Sequence, residues 1–382
     1  MASINDLEVN IKGNFYEAGG YAKVNRNLAI GLSALGAKVT IESLGNQSNA
    51  ASLRKDESKN LSKIKGQPSR NAIRIDSILP SLSHVSSGKY NILYTTIESY
   101  TVQEQFLSVA KQYNEIWVTS DFCKQVLSQR IQDIPIFVMP CSIDTDFYSK
   151  ECDSHVFSPP LRDFVFISVF GWNYRKGPDV LLKTYLSEFT SDDDVSLLLV
   201  TRYQGKEDKS QIIKNSISES IKKYGGDKPP HIARYSKVTL EEDMPSIYRS
   251  GNALVLLTRG EGFGLPFCEA SLCGLPVIGT NCSGQSMFLT NNNSTLIDID
   301  ALVPLQPGIN NVDYWDNQKF PALTSPKVIS DARESMRNIY NDISTAKSKN
   351  KILQQKIAEE YSIPAVANLV AKRLLEIREK IK

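Results

Sequence analysis

Along the first part of the chain, short apolar runs alternate with longer segments whose apolar positions recur every three or four residues. Runs at 7–11, 39–44, 73–78, 92–97, 116–119 and 136–139 predict strands. Segment 21–35 places Val24, Leu28, Leu32 and Leu35 on one helical face, with Gly36 as a natural stop. Segments 103–113 and 122–130 also read as helices, the second capped by Ser120 or Asp121. Strands alternating with helices predict a parallel sheet covered on both faces.

The pattern then restarts. Residues 141–160 are irregular and end in Pro159-Pro160. Strands are predicted at 164–170, 195–201, 231–235, 253–257 and 276–279, and helices at 180–189, 212–223 and 265–272, the last ending at Gly274. A final helix over 365–382 carries Val370, Leu374, Leu375 and Ile377. The expectation is two α/β domains, 1–160 and 161–364, with the final helix returning to the first.

Composition narrows the function. The 382 residues are 41% hydrophobic and 23% charged, which fits folded domains and excludes a disordered chain. A net charge of +2 gives no general reason to expect a nucleic-acid partner. The longest apolar runs, such as 253–257, are too short to span a membrane. The N-terminus lacks the features of a signal peptide, so a cytoplasmic protein is expected. Six cysteines form no C-x-x-C pair, and the three histidines are scattered; the thiols read as reduced packing residues. Three D-x-D matches, Asp144/Asp146, Asp192/Asp194 and Asp298/Asp300, lie in turns or irregular chain. No metal or other cofactor is expected. Segment 54–70 is rich in Lys, Arg, Ser and Asn. It reads either as a solvated mobile loop or as a basic surface that meets an anionic acceptor or a membrane face.

The strongest chemical signal is Gly260-Glu261-Gly262-Phe263-Gly264-Leu265-Pro266-Phe267-Cys268-Glu269. It follows a predicted strand and opens a helix, the edge where open α/β sheets bind ligands. Its glycines admit close backbone approach, and the free N–H groups of a helix start favour phosphate. Glu261 and Glu269 can hold hydroxyls at two points of an extended ligand. The glycine spacing is wrong for G-x-G-x-x-G, which disfavours a nicotinamide dehydrogenase.

Glu261 to Glu269 resembles the E-x7-E motif of retaining glycosyltransferases with the two-domain GT-B fold, specifically family 4. Gly19-Gly20-Tyr21 resembles that family's Gly-Gly loop, and Gly171 to Leu182 its basic phosphate-binding turn. Cys273 to Ile278 and Ser283-Gly284-Gln285 continue the likeness. The resemblance implies two Rossmann-like, doubly wound domains facing across a cleft. It implies that Glu261 holds hydroxyls of the transferred sugar and Glu269 those of the ribose. Backbone amides of Phe263, Gly264 and Leu265 would contact sugar and phosphate. Arg234, Tyr235 and Val238 would border the base. Gly19 and Gly20 would face the diphosphate, and Arg175 and Lys176 would neutralise it as it leaves. Trp172 stands where many relatives carry an arginine, so Arg175 is expected to supply that charge. A histidine common in the first domain of relatives is absent from the matching stretch, Tyr94 to Tyr100. Glu98 is the candidate there, to orient or deprotonate the acceptor hydroxyl or to contact the donor; a purely structural carboxylate is the alternative.

The implied function is metal-independent hexosyl transfer with retention, of glucose or a similar sugar. A UDP-sugar is favoured over a GDP-sugar as donor, and the acceptor is a glycan or a lipid-linked glycan in polysaccharide biosynthesis, with peripheral membrane contact. A non-catalytic nucleotide-sugar-binding subunit and a sugar-nucleotide-modifying enzyme remain as alternatives.

Overall fold

The computed structural model describes residues 4–17, 19–44, 53–64, 66–67, 69–79, 88–203, 209–237, 240–306 and 316–381. Contacts divide the chain into two units. The first comprises 1–145, 240–243 and 356–382; the second comprises 146–239 and 244–355. The division thus falls at Thr145, earlier than the boundary near residue 160 expected from the sequence.

In the first unit the chain runs β1 (Glu8–Gly13), α1 (Gly20–Ala34), β2 (Lys38–Ser43), α2 (Lys55–Leu61), β3 (Ile73–Ser77) and β4 (Tyr90–Thr95). It continues through α3 (Glu104–Ala110), β5 (Glu115–Val118), α4 (Asp121–Ser128) and β6 (Ile136–Val138). The described strands form a parallel sheet in the order β2-β1-β3-β4-β5-β6. Ser120 caps α4 by accepting from the Cys123 backbone N–H, which settles the choice between Ser120 and Asp121. Helix α1 buries Val24, Leu28 and Leu32, as its period requires.

The second unit begins with the short helix α5 (Thr145–Ser149), inside the stretch read as irregular. It proceeds through β7 (Phe164–Trp172), α6 (Pro178–Glu188), β8 (Val195–Tyr203), α7 (Ser210–Tyr224), β9 (His231–Tyr235) and α8 (Met244–Arg249). Next come β10 (Ala253–Leu256), α9 (Leu265–Leu272), β11 (Val277–Thr280) and β12 (Thr295–Ile297). These strands form a parallel sheet, order β12-β11-β10-β7-β8-β9. Strand β7 is near the centre, so Val165, Phe166 and Ile167 are buried in an unbroken apolar run. An antiparallel pair follows, β13 (Leu302–Pro304) with β14 (Lys319–Pro321).

Helices α10 (Pro326–Asn341) and α11 (Ser344–Glu360) were not picked out from the sequence. Yet α10 has a capping residue, Ser325, followed by Pro326 at its first position, and it buries Val328, Ile329, Ala332, Met336 and Ile339. Helix α12 (Ile363–Ile381) packs on α1 within the first unit. A Cβ at Gly31 of α1 would lie 2.8 Å from that of Ala367, so the two helices approach closely there. Arg373 of α12 clasps the buried Glu115 carboxylate and lies over the Phe137 ring at 3.8 Å.

The described residues around Arg54 are not the solvated loop of the first reading. Arg54 is buried and donates to Asp144 at 2.5 Å, and α2 forms directly after it. Glu57 turns inward to Arg26 at 3.2 Å, and Arg26 also meets Glu241 at 2.8 Å. These side chains form a buried charge cluster of the first unit, which the turn Glu241–Asp243 joins. The exposed side chains of α2 include Lys55 and Lys59.

Candidate active site

The glycine-rich segment lies where the sheet of the second unit ends and α9 begins. Its conformation is dictated by close packing. Gly264 is the N-cap of α9 with φ of 103°, a left-handed value that favours glycine. A Cβ at Gly284 would lie 2.1 Å from the Gly262 carbonyl oxygen, so the Ser283–Met287 turn can lie against the segment only with glycine there. The Glu261 N–H donates to the Ser283 hydroxyl at 2.9 Å, and the Gly284 N–H donates to the Glu261 carbonyl at 2.8 Å.

Glu261 is buried, and both of its carboxylate oxygens accept from Lys176 Nζ at 2.7 Å. Arg175 Nη1 is 3.5 Å from the same carboxylate. Burial pushes the Glu261 carboxyl up, but Lys176 and Arg175 more than offset that and hold it below its ordinary value. Lys176 is brought there by the 3-10 turn Tyr174–Lys176, which follows β7 and is capped by the Asn173 side chain.

The two cations are placed differently. Arg175 is 4% exposed and donates to the Gly260 carbonyl, while its own carbonyl accepts from the Arg259 N–H at 2.7 Å. It braces the segment from beneath. The Lys176 side chain is 14% exposed, the more accessible of the pair. Arg175 thus holds the loop backbone as well as facing Glu261.

Glu269 lies one turn inside α9, 5% exposed, and accepts from the Tyr248 hydroxyl at 2.8 Å. Burial first, then the Glu269 charge, pushes the Tyr248 phenol well above its ordinary value, so it stays a donor. One carboxylate of the segment is thus ion-paired and the other is held by a neutral hydroxyl. Phe263 is buried against Phe288, with ring centroids 5.0 Å apart, and Leu265 is half-buried at the helix start.

Arg234 and Tyr235 have other partners within the second unit. Arg234 donates to the Ser210 hydroxyl at 2.9 Å, tying β9 to the start of α7. Tyr235 meets His155 and Phe157 edge-on. Both belong to β9, which is at the sheet margin. Val238 lies outside the described residues. In the first unit, Gly19 is the N-cap of α1, and a Cβ there would meet nothing within 4 Å. Gly20 opens the helix. Glu98 follows the C-terminal end of β4, half-buried, on the same sheet edge as the β1–α1 turn.

Several residues of the D-x-D matches have structural partners. Asp144 pairs with Arg54, Asp192 with Lys228, and Asp193, between the two outer aspartates, with Arg337. Asp300 accepts from the backbone N–H groups of Leu323, Thr324 and Ser325.

Sequence reading missed Arg259. It is fully buried, pairs with Asp179 at 2.7 Å and lies over the Tyr174 ring at 3.7 Å. Its place directly before Gly260 was the available signal, because a charge adjoining an apolar strand needs a partner.

Residues 162–304 match the family described as Glycosyl transferases group 1. Over those residues the chain is similar to the group 1 glycosyltransferases. An O-antigen chain mannosyltransferase B of Escherichia coli is 33% identical over 113 residues, covering 28% of this chain and 26% of that protein. A mannosylfructose-phosphate synthase of Agrobacterium fabrum is 28% identical over 106 residues, 28% of this chain and 23% of its own length. The chain thus matches only about a quarter of the length of these curated relatives. Among solved structures, Anabaena Alr3699/HepE in complex with UDP and glucose superposes with a TM-score of 0.67 at 11% identity, covering 97% of this chain and all of that one. The fold is GT-B, as expected from the sequence. Among the described residues, no helix is long and apolar enough to cross a membrane.

Proposed function

We propose that the protein transfers a hexosyl group, with retention, from a nucleotide sugar to a hydroxyl of a glycan or lipid-linked glycan. A UDP-sugar is favoured over a GDP-sugar as donor; the UDP and glucose bound to Anabaena HepE support that choice. The observation that carries the reading is the buried carboxylate Glu261 beside Lys176, in a glycine-rich turn that opens α9.

In this reading Lys176, with the N-terminus of α9, stabilises charge that develops on the departing diphosphate. Gly19 and Gly20 offer backbone amides to the same group. Glu261 orients the sugar through its hydroxyls, and Glu269 binds the ribose, its second oxygen being fixed by Tyr248. Arg234, Tyr235 and Val238 border the base. The leaving diphosphate assists deprotonation of the incoming hydroxyl, and Glu98 positions that hydroxyl. The exposed lysines of α2 supply the peripheral contact with the membrane that carries a lipid-linked acceptor.

The test is release of free nucleotide from UDP-glucose, UDP-galactose, GDP-mannose and ADP-glucose, followed with and without added glycan acceptors. One donor should be consumed, and Glu261→Gln and Lys176→Met should each reduce that rate at least tenfold. A purified, folded wild-type protein that consumes none of the four would contradict the reading and favour a binding subunit.

A further inference from the structure

Lys176 and Glu261 are held here by each other, although the proposed donor needs both. The Lys176 ammonium lies 2.7 Å from each oxygen of Glu261, so it occupies the face that a sugar's hydroxyls would use. The carboxylate in turn occupies the ammonium that a diphosphate would use. The pair is almost closed off from water: Glu261 is 6% exposed, and Arg175, the other nearby cation, is tied to the Gly260 carbonyl. Breaking such a pair without replacing both partners strands a buried charge.

We propose that Lys176 and Glu261 form an exchange clasp that discriminates nucleotide sugars from bare nucleotides. The inference rests on the donor-site reading above and adds a specificity rule to it. A nucleotide sugar replaces both partners at once, its diphosphate taking Lys176 and its sugar hydroxyls taking Glu261. A bare nucleoside diphosphate draws Lys176 away and leaves Glu261 with the more distant Arg175 at 3.5 Å and the neutral Thr258 hydroxyl. The clasp therefore penalises the product of transfer and favours its release. As the sugar departs, Glu261 loses its hydroxyl partners and reclaims Lys176.

A contact model without exchange predicts that Glu261 matters to the sugar alone. The clasp predicts that Glu261→Gln, which keeps the shape and removes the charge, makes a bare nucleotide bind more tightly. Loss of simple repulsion between carboxylate and diphosphate would do the same, so Lys176 must decide between them. The experiment is a double-mutant cycle by calorimetry on the full chain, with wild type, Glu261→Gln, Lys176→Met and the double variant. The probes are UDP against UDP-glucose and GDP against GDP-mannose.

For the pair that binds, wild type should prefer the nucleotide sugar by about tenfold or more, a difference near 1.4 kcal/mol. Glu261→Gln should raise bare-nucleotide affinity several-fold and abolish the preference. In the Lys176→Met background the same change should bring no gain. A gain of equal size in that background would assign the effect to repulsion and overturn the clasp. An unchanged bare-nucleotide affinity in Glu261→Gln, with wild type still preferring the sugar form, would overturn it too while leaving the donor site standing. If the folded wild type binds neither pair, the donor-site reading fails and the clasp with it. Circular dichroism of each variant establishes that it is folded before its titration counts.

Discussion

Two buried charge clusters, one in each unit, are built from the same residue types and differ in what surrounds them. In the first unit, Arg26 sits between Glu57 and Glu241, with Lys23 3.0 Å from Glu241 and Arg54 alongside. Arg26 also donates to the Phe15 and Glu17 carbonyls, so its guanidinium is fixed on several sides. In the second unit, Glu261 holds one lysine through both oxygens, inside a turn rich in glycine. The first arrangement spends its charges on joining segments of chain. The second places a paired charge at a helix start where backbone can approach a ligand. A buried ion pair alone does not mark a site; the backbone around it does.

The largest effect should come from the first cluster. Arg26→Ala leaves Glu57 and Glu241 buried together, and the cost should be about 3–5 kcal/mol. Denaturant unfolding followed by tryptophan fluorescence reads it. A loss below about 1 kcal/mol would mean that the cluster is solvated and that the comparison fails. Gly284→Ala should come next, since its Cβ would lie 2.1 Å from the Gly262 carbonyl oxygen. Overpacking costs about 1–3 kcal/mol, and nucleotide binding should fall with it because the Glu261 segment must shift.

A smaller effect separates the clusters by pH. The Glu261 carboxyl lies below its ordinary value despite burial, because Lys176 and Arg175 face it. Its contribution to stability is therefore present above the ordinary carboxylate range, near ~4.3, and is lost as pH falls through the depressed value. Lys176→Met removes the nearer cation and should let burial dominate, raising the carboxyl above its ordinary value. Stability relative to wild type should then decline as pH rises from about 4 to 7. The difference between the two thermal-midpoint curves checks this, and a flat difference would contradict it. Glu57 already behaves in the raised direction, through burial and then the Glu241 charge.

The smallest stability effect should be Gly19→Ala. A Cβ there meets open space and φ is −87°, so the change should cost under about 1 kcal/mol. Nucleotide affinity should nonetheless drop, if backbone approach is what the glycine provides. Unchanged affinity would remove Gly19 from the site.

How much of this was legible follows from range. The strands and helices of both sheets repeat with local periods, so the α/β alternation could be read from residues within each segment, whereas the GT-B class followed only from the resemblance of the motifs. The 260–269 segment was legible for the same reason, since its glycines and two glutamates are consecutive chain. The bond from Arg175 to the Gly260 carbonyl could not be read, because the two lie 85 residues apart. The solvated-loop reading of segment 54–70 failed at Arg54 because composition describes solvation only when no distant partner exists. Arg54 finds Asp144, 90 residues on, and Arg26 finds Glu241 across 215. Charges paired at that separation look like surface charges in the sequence. Helix α10 is a different failure, because its cap, proline and apolar stripe were all local.

The central claim is that the second unit holds a nucleotide-sugar donor between Glu261, Lys176 and Glu269. Calorimetric titration of the purified chain with UDP-glucose, GDP-mannose and ADP-glucose, with and without EDTA, tests it most directly. One conjugate should bind at micromolar to submillimolar concentration, unchanged by EDTA, and Glu269→Ala should weaken that binding about tenfold or more. Absence of binding by all three at millimolar concentration, or binding that Glu269→Ala leaves untouched, would contradict the account.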